Sequence, residues 1–149
     1  MIKTLRHLAA VRTFEDSLSI PNKGTILFVC TGNSCRSVMA EIYFKKITDN
    51  AGLNFSVHSA GTEISKGMRP TEDTLKILKK EKLALGDRQA IPLERKILQD
   101  ADWIFVMEKR HSEYIKTVCP EALSKTFLLG QFCNKEWLAH GPEIPDPYG

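Results

Sequence analysis

The chain has 149 residues, of which 42% are hydrophobic and 26% charged, with a formal net charge of +3. This is the size and composition of one globular domain with a core of its own. The mild charge, with no clustered basic stripe, argues against nucleic acid as a partner, and no apolar run reaches the length that spans a membrane.

Residues 1–24 precede the first core strand. Ile2, Leu5, Leu8, Ala9 and Phe14 fall near helical spacing and predict a short amphipathic helix, with packing as its favoured role. Lys3, Arg6 and Arg12 interrupt any apolar run, so no secretory signal is read there. Ser19 to Gly24 reads as a linker. Ile26 to Val29 is apolar throughout and suits a buried strand. From Val38 the pattern changes: Met39, Ile42, Tyr43, Lys45 and Lys46 predict an amphipathic helix over 38–52, ended by Asn50-Ala51-Gly52. Asn54 to His58 alternates and predicts a second strand, with His58 packed or exposed rather than catalytic. Residues 63–70 form a loop. Thr71 caps a helix that runs to about Lys82, with Leu75, Ile77 and Leu78 apolar. A short helix follows over Pro92–Leu98, then a buried strand over 102–107, a helix over 108–118 stopped by Pro120, and a strand over 126–129. Residues 144–149, taken alone, read as a proline-rich tail. The alternation predicts an α/β fold: a parallel four-stranded sheet with helices on both faces, whose ligands sit at the carboxyl ends of the strands.

Four cysteines, at 30, 35, 119 and 133, include no C-x-x-C pair and no zinc-like spacing, so no metal or other cofactor is expected. Their low number fits a reducing, cytoplasmic setting. The stretch Cys30-Thr31-Gly32-Asn33-Ser34-Cys35-Arg36-Ser37 lies between the first strand and the first helix. Such a loop aims free backbone N–H groups and the positive end of a helix dipole into one small space. Gly32 and Asn33 tolerate the positive φ angles of an anion nest. Arg36 offers a fork to two phosphate oxygens. The same positive surroundings favour the thiolate of Cys30, and Ser37 is placed to donate to that sulfur. Residues 31–36 are therefore the expected phosphate cradle and Cys30 the expected nucleophile. The glycine spacing does not match a nucleotide P-loop, and no Lys-Ser/Thr pair follows.

This loop, after its apolar strand, resembles the signature of the low-molecular-weight protein tyrosine phosphatase family. Val38 departs from the pattern, standing where most members carry proline. Ser59-Ala60-Gly61-Thr62 and Ile144-Pro145-Asp146-Pro147-Tyr148 resemble further family segments. The resemblance implies hydrolysis of phosphorylated protein side chains through a phosphocysteine, with Asp146 as general acid on a proline-stiffened loop. It implies Tyr148 as a flank of the substrate site and inorganic phosphate or a similar oxyanion as a ligand. It also implies that Cys35 can form a reversible disulfide with Cys30, and that Arg88-Gln89 matches a basic spot. The domain so identified covers 25–149; the family continues into a last helix past this motif, so the expectation is either that this sequence is truncated or that residues 1–24 cover that face instead. The family default substrate is phosphotyrosine. A bacterial branch with a small hydroxyl residue at the position of Ser34 hydrolyses phosphoarginine, and residues 63–68 lack the aromatic residue that often stacks on phosphotyrosine. Thioredoxin-coupled arsenate reduction, which needs a downstream cysteine pair, and a non-catalytic phosphate-binding module are the less favoured readings.

Overall fold

A computed structural model describes residues 22–148. The predicted helix near the amino terminus lies outside the described residues. Four strands form one sheet in the order β2-β1-β3-β4: β1 (Lys23–Cys30), β2 (Asn54–Gly61), β3 (Trp103–Val106) and β4 (Thr126–Leu128). Every pairing is parallel. The helices are α1 (Arg36–Asn50), α2 (Glu72–Lys80), α3 (Arg95–Asp100), α4 (Lys109–Val118) and α5 (Lys135–Leu138). No helix among the described residues is long and apolar enough to cross a membrane.

Alternation along β1 splits the core between the two faces of the sheet. Leu27 and Val29 pack with Leu98 of α3, Ile115 of α4 and Ala122 on one face. Ile26 and Phe28 pack with Ala40 and Phe44 of α1 on the other, together with Val57 and Phe105. Phe28 sits 5.7 Å from Phe44 and 5.6 Å from Phe105, centroid to centroid. Each such fully buried side chain contributes roughly 1.5–3 kcal/mol. Strand order reverses beside β1, so the carboxyl ends of β1 and β3 enclose the switch-point crevice where this architecture binds ligands.

Several boundaries differ from expectation. The first helix begins at Arg36 rather than Val38, because Arg36 and Ser37 are buried polar residues that break the apolar period. The second strand continues to Gly61, which pairs with Cys30. The short helix starts at Arg95, since Pro92 instead forms an isolated bridge to Gly61. Thr71 does cap α2, accepting from the Thr74 N–H, but of its three apolar residues only Leu78 is buried while Leu75 and Ile77 are exposed.

Candidate active site

Cys30 ends β1 and is 2% exposed. Beyond it the loop carbonyls are engaged outward: Cys30 accepts from the Thr62 N–H, Thr31 from Glu63, Ser34 from Thr71 and Cys35 from Met39. The N–H groups of Gly32, Asn33, Ser34 and Cys35 have no partner among the described residues. A loop with four of its carbonyls engaged elsewhere and four of its donors free can offer those donors to an anion.

Asn33 holds the loop in shape. It has a φ of 47°, and its side chain is fully used: Nδ2 donates to Ser37 Oγ (3.0 Å) and Ser59 Oγ (2.8 Å), while Oδ1 accepts from the Ile91 N–H (2.9 Å). Gly32, expected to share the positive φ, does not have one. Its lack of a side chain serves close approach instead, since a Cβ there would lie 3.2 Å from Met68 Sδ and 3.3 Å from Ser34 Oγ. Gly61 serves the same purpose on β2: a Cβ would lie 2.5 Å from the Thr31 carbonyl oxygen.

Ser37 Oγ lies 2.9 Å from Cys30 Sγ. Because it already accepts from Asn33, its own proton is available to the sulfur. Ser59 extends the chain by donating to Glu41, whose carboxylate also holds Arg88 Nη1 at 2.8 Å. The hydrogen bonds thus run outward from the Asn33 amide in two arms, one through Ser59 to Glu41 and one through Ser37 to Cys30. Arg88 was legible as a basic spot; Glu41 carried no signal, being one acidic residue on an ordinary helix.

Arg36 opens α1 and is buried. Its Nη1 pairs with Glu108 and donates to the Ile144 carbonyl at 2.9 Å. Its Nη2 donates to Asp146 Oδ2 at 2.7 Å and meets Thr31 Oγ1 at 3.4 Å. The loop carrying Asp146 is tied down by the Ile144 N–H on the Met107 carbonyl (2.8 Å) and by the Tyr148 N–H on Asp146 Oδ1 (3.1 Å). The proline-rich end is therefore an ordered part of the site rather than a loose tail. Tyr148 is 60% exposed, its hydroxyl 3.3 Å from Thr71 Oγ1 and 3.4 Å from Asp73.

Two residues after β3 belong to the site without having been singled out. Burial alone would raise the Glu108 carboxyl, but hydrogen bonds from Arg36 and Arg110 outweigh it and hold the group below the usual carboxylate range. His111 is buried, between the Glu108 N–H on Nδ1 (3.1 Å) and Thr31 Oγ1 on Nε2 (3.0 Å). Burial, then the Arg36 charge, pushes it down to about 4, so it is neutral at physiological pH. A capping box at Glu108 and His111, spaced i to i+3 at a helix start, was the available signal.

The four cysteines are free thiols. Cys35 is half-buried, just before α1. Cys119 is buried on the sheet face opposite Cys30, and Cys133 is exposed. An electron relay through them to Cys30 has no support in that arrangement. His58 is exposed and paired with Ser56 Oγ at 2.8 Å, away from the site.

Comparison with known proteins agrees with this geometry. The chain is 35% identical to a protein-arginine-phosphatase of Bacillus subtilis, over 83% of this chain and 79% of that protein. The crystal structure of the tyrosine phosphatase Wzb from Escherichia coli K30, in complex with sulphate, superposes with a TM-score of 0.71 at 30% identity, covering 84% of this chain and 80% of that one. Vibrio vulnificus Wzb in complex with benzylphosphonate gives a TM-score of 0.71 at 33% identity, covering 84% and 82%. Residues 25–149 match the model of the low molecular weight phosphotyrosine protein phosphatases, and with the fold and the loop in agreement the chain belongs to that family of hydrolases.

Proposed function

We propose that the protein dephosphorylates phosphorylated protein side chains through a covalent phosphocysteine. The observation that carries this is the convergence of Cys30, four unpartnered loop N–H groups, Arg36 and Asp146 at one strand end. Cys30 attacks phosphorus in line, and the bond from phosphorus to the leaving oxygen or nitrogen breaks. The loop N–H groups of residues 31–36 and the Arg36 guanidinium hold the equatorial oxygens. A phosphoryl group that takes Arg36 Nη2 releases Asp146 from its ion pair; the freed carboxylate takes up a proton from solvent beside the phosphoryl charge and passes it to the leaving atom. Asp146 then accepts a proton from the water that attacks the phosphocysteine. Inorganic phosphate departs as Ser37 donates to the returning thiolate. Tyr148 flanks the substrate side chain. Such chemistry needs Cys30 reduced, which suits the cytoplasm, and a Cys30–Cys35 disulfide would shield the nucleophile.

Phosphotyrosine is the substrate the family default favours. Phosphoarginine is the second reading, supported by Ser34: its hydroxyl has no partner among the described residues and lies close beside Gly32 of the cradle, 3.3 Å from where a Cβ there would stand, free to accept from a guanidinium. Turnover of phosphotyrosine and phosphoarginine peptides by the native protein and by Ser34→Ile tests this. An added branched side chain crowds out the guanidinium fork, so phosphoarginine turnover is expected to fall at least about tenfold relative to phosphotyrosine, on the scale of a few methylenes in a pocket. An unchanged ratio would overturn the role given to Ser34.

A further inference from the structure

We propose that His111 is a positioning residue for the bound oxyanion, acting through the hydroxyl of Thr31. The inference rests on the reading that the cradle takes a phosphoryl group. A backbone N–H can only donate, so His111 Nδ1, 3.1 Å from the Glu108 nitrogen, is an acceptor. The neutral ring therefore carries its single proton on Nε2, which donates to Thr31 Oγ1 at 3.0 Å. Arg36 Nη2 also only donates, and it meets the same oxygen at 3.4 Å. Both acceptor positions of the hydroxyl are thereby filled, and its own proton finds no acceptor among the described residues.

An ordinary hydroxyl can turn either way. One whose lone pairs are occupied can only donate, and a donor is what a phosphoryl oxygen requires. Thr31 is half-buried, follows Cys30 directly, and its carbonyl is pinned by the Glu63 N–H at 2.9 Å. Its hydroxyl proton is thus held at the wall of the cradle, an added donor beside the loop amides and Arg36. His111 supplies this orientation without adding charge. Its other nitrogen closes the cap of α4, so one ring links the helix after β3 to the loop after β1 across the switch point.

The competing account is that His111 only caps α4, and a double-mutant cycle separates the two. Inorganic phosphate is the probe, measured as a competitive inhibitor of p-nitrophenyl phosphate hydrolysis, with thermal stability recorded for each variant. Thr31→Val and His111→Phe are each expected to weaken phosphate by about tenfold or more, the scale of a hydrogen bond to a charged group. In the Thr31→Val background, His111→Phe is expected to cost nothing further in phosphate affinity, whatever it does to stability. His111→Gln, which keeps an acceptor for the Glu108 N–H and a donor for Thr31, is expected to restore most of the affinity. Independent, additive losses, or an unchanged inhibition constant in His111→Phe, would overturn the inference alone. Should His111→Phe not fold, Thr31→Ser and Thr31→Val decide: serine should hold phosphate within about twofold of native, and a valine variant equal to native overturns the proposal. Native protein that neither hydrolyses the ester nor binds phosphate would overturn the functional reading, and this inference with it.

Discussion

Cys30→Ser is expected to lower turnover of p-nitrophenyl phosphate by a factor on the order of 10⁴ to 10⁶, the scale of losing a catalytic nucleophile, while leaving phosphate bound nearly as tightly as before. The two halves of this result come from different atoms. Turnover depends on the sulfur, because a serine hydroxyl has no general base beside it: its neighbour, Ser37 Oγ, already accepts from Asn33 and is a donor to position 30. Binding depends on the loop N–H groups and on Arg36, none of which the substitution touches. Steady-state kinetics under reducing conditions and calorimetry with inorganic phosphate read the two quantities separately. Turnover within about tenfold of native would remove Cys30 from the chemistry, since no covalent mechanism through it survives so small a loss.

Asp146→Asn is expected to reduce kcat by about 10² to 10⁴ for substrates with poor leaving groups, the range of general acid catalysis. The loss should be smaller for p-nitrophenyl phosphate, whose leaving group needs little protonation. Asparagine nearly preserves shape, but it has one oxygen where Asp146 uses two: it can keep the bond from Arg36 Nη2, which Asp146 accepts on Oδ2 at 2.7 Å, while its NH2 cannot replace Oδ1 as acceptor of the Tyr148 N–H at 3.1 Å, and it cannot transfer a proton. KM should not rise, because the neutral amide competes less well than a carboxylate for the guanidinium that binds phosphate. The alkaline limb of the kcat profile, which reports loss of the acid, should disappear. Equal losses for good and poor leaving groups would show that Asp146 holds the loop rather than the proton.

What could be seen in the sequence was what is local. Cys30 to Ser37 carries nucleophile, nest and guanidinium within eight consecutive positions, so its chemistry needed no tertiary information. The alternation of buried strands and amphipathic helices likewise predicted a parallel sheet, and Thr71 announced its helix. Contacts across long loops were hidden. Thr31 and His111 are 80 positions apart, and Arg36 and Glu108 are 72 apart; only the sheet order, which puts β1 beside β3, brings them together. The start of α1 was misplaced for a related reason. Arg36 and Ser37 are buried because the site needs them there, and buried polar residues break the apolar period from which helices are read. Gly32 was misread because a glycine signals either an unusual φ or a close neighbour, and the neighbour, Met68, is distant in sequence.

The central claim is that one buried sulfur is kept reactive by a cradle that also holds a tetrahedral oxyanion. Its most direct test is the rate of alkylation of each cysteine by iodoacetamide at neutral pH under reducing conditions, resolved by peptide mapping, with and without saturating inorganic phosphate. Cys30 is buried and Cys133 exposed, so accessibility alone would make Cys133 the faster. The account predicts the reverse order, with phosphate slowing Cys30 and leaving Cys133 unaffected. A Cys30 slower than Cys133 and indifferent to phosphate would contradict it.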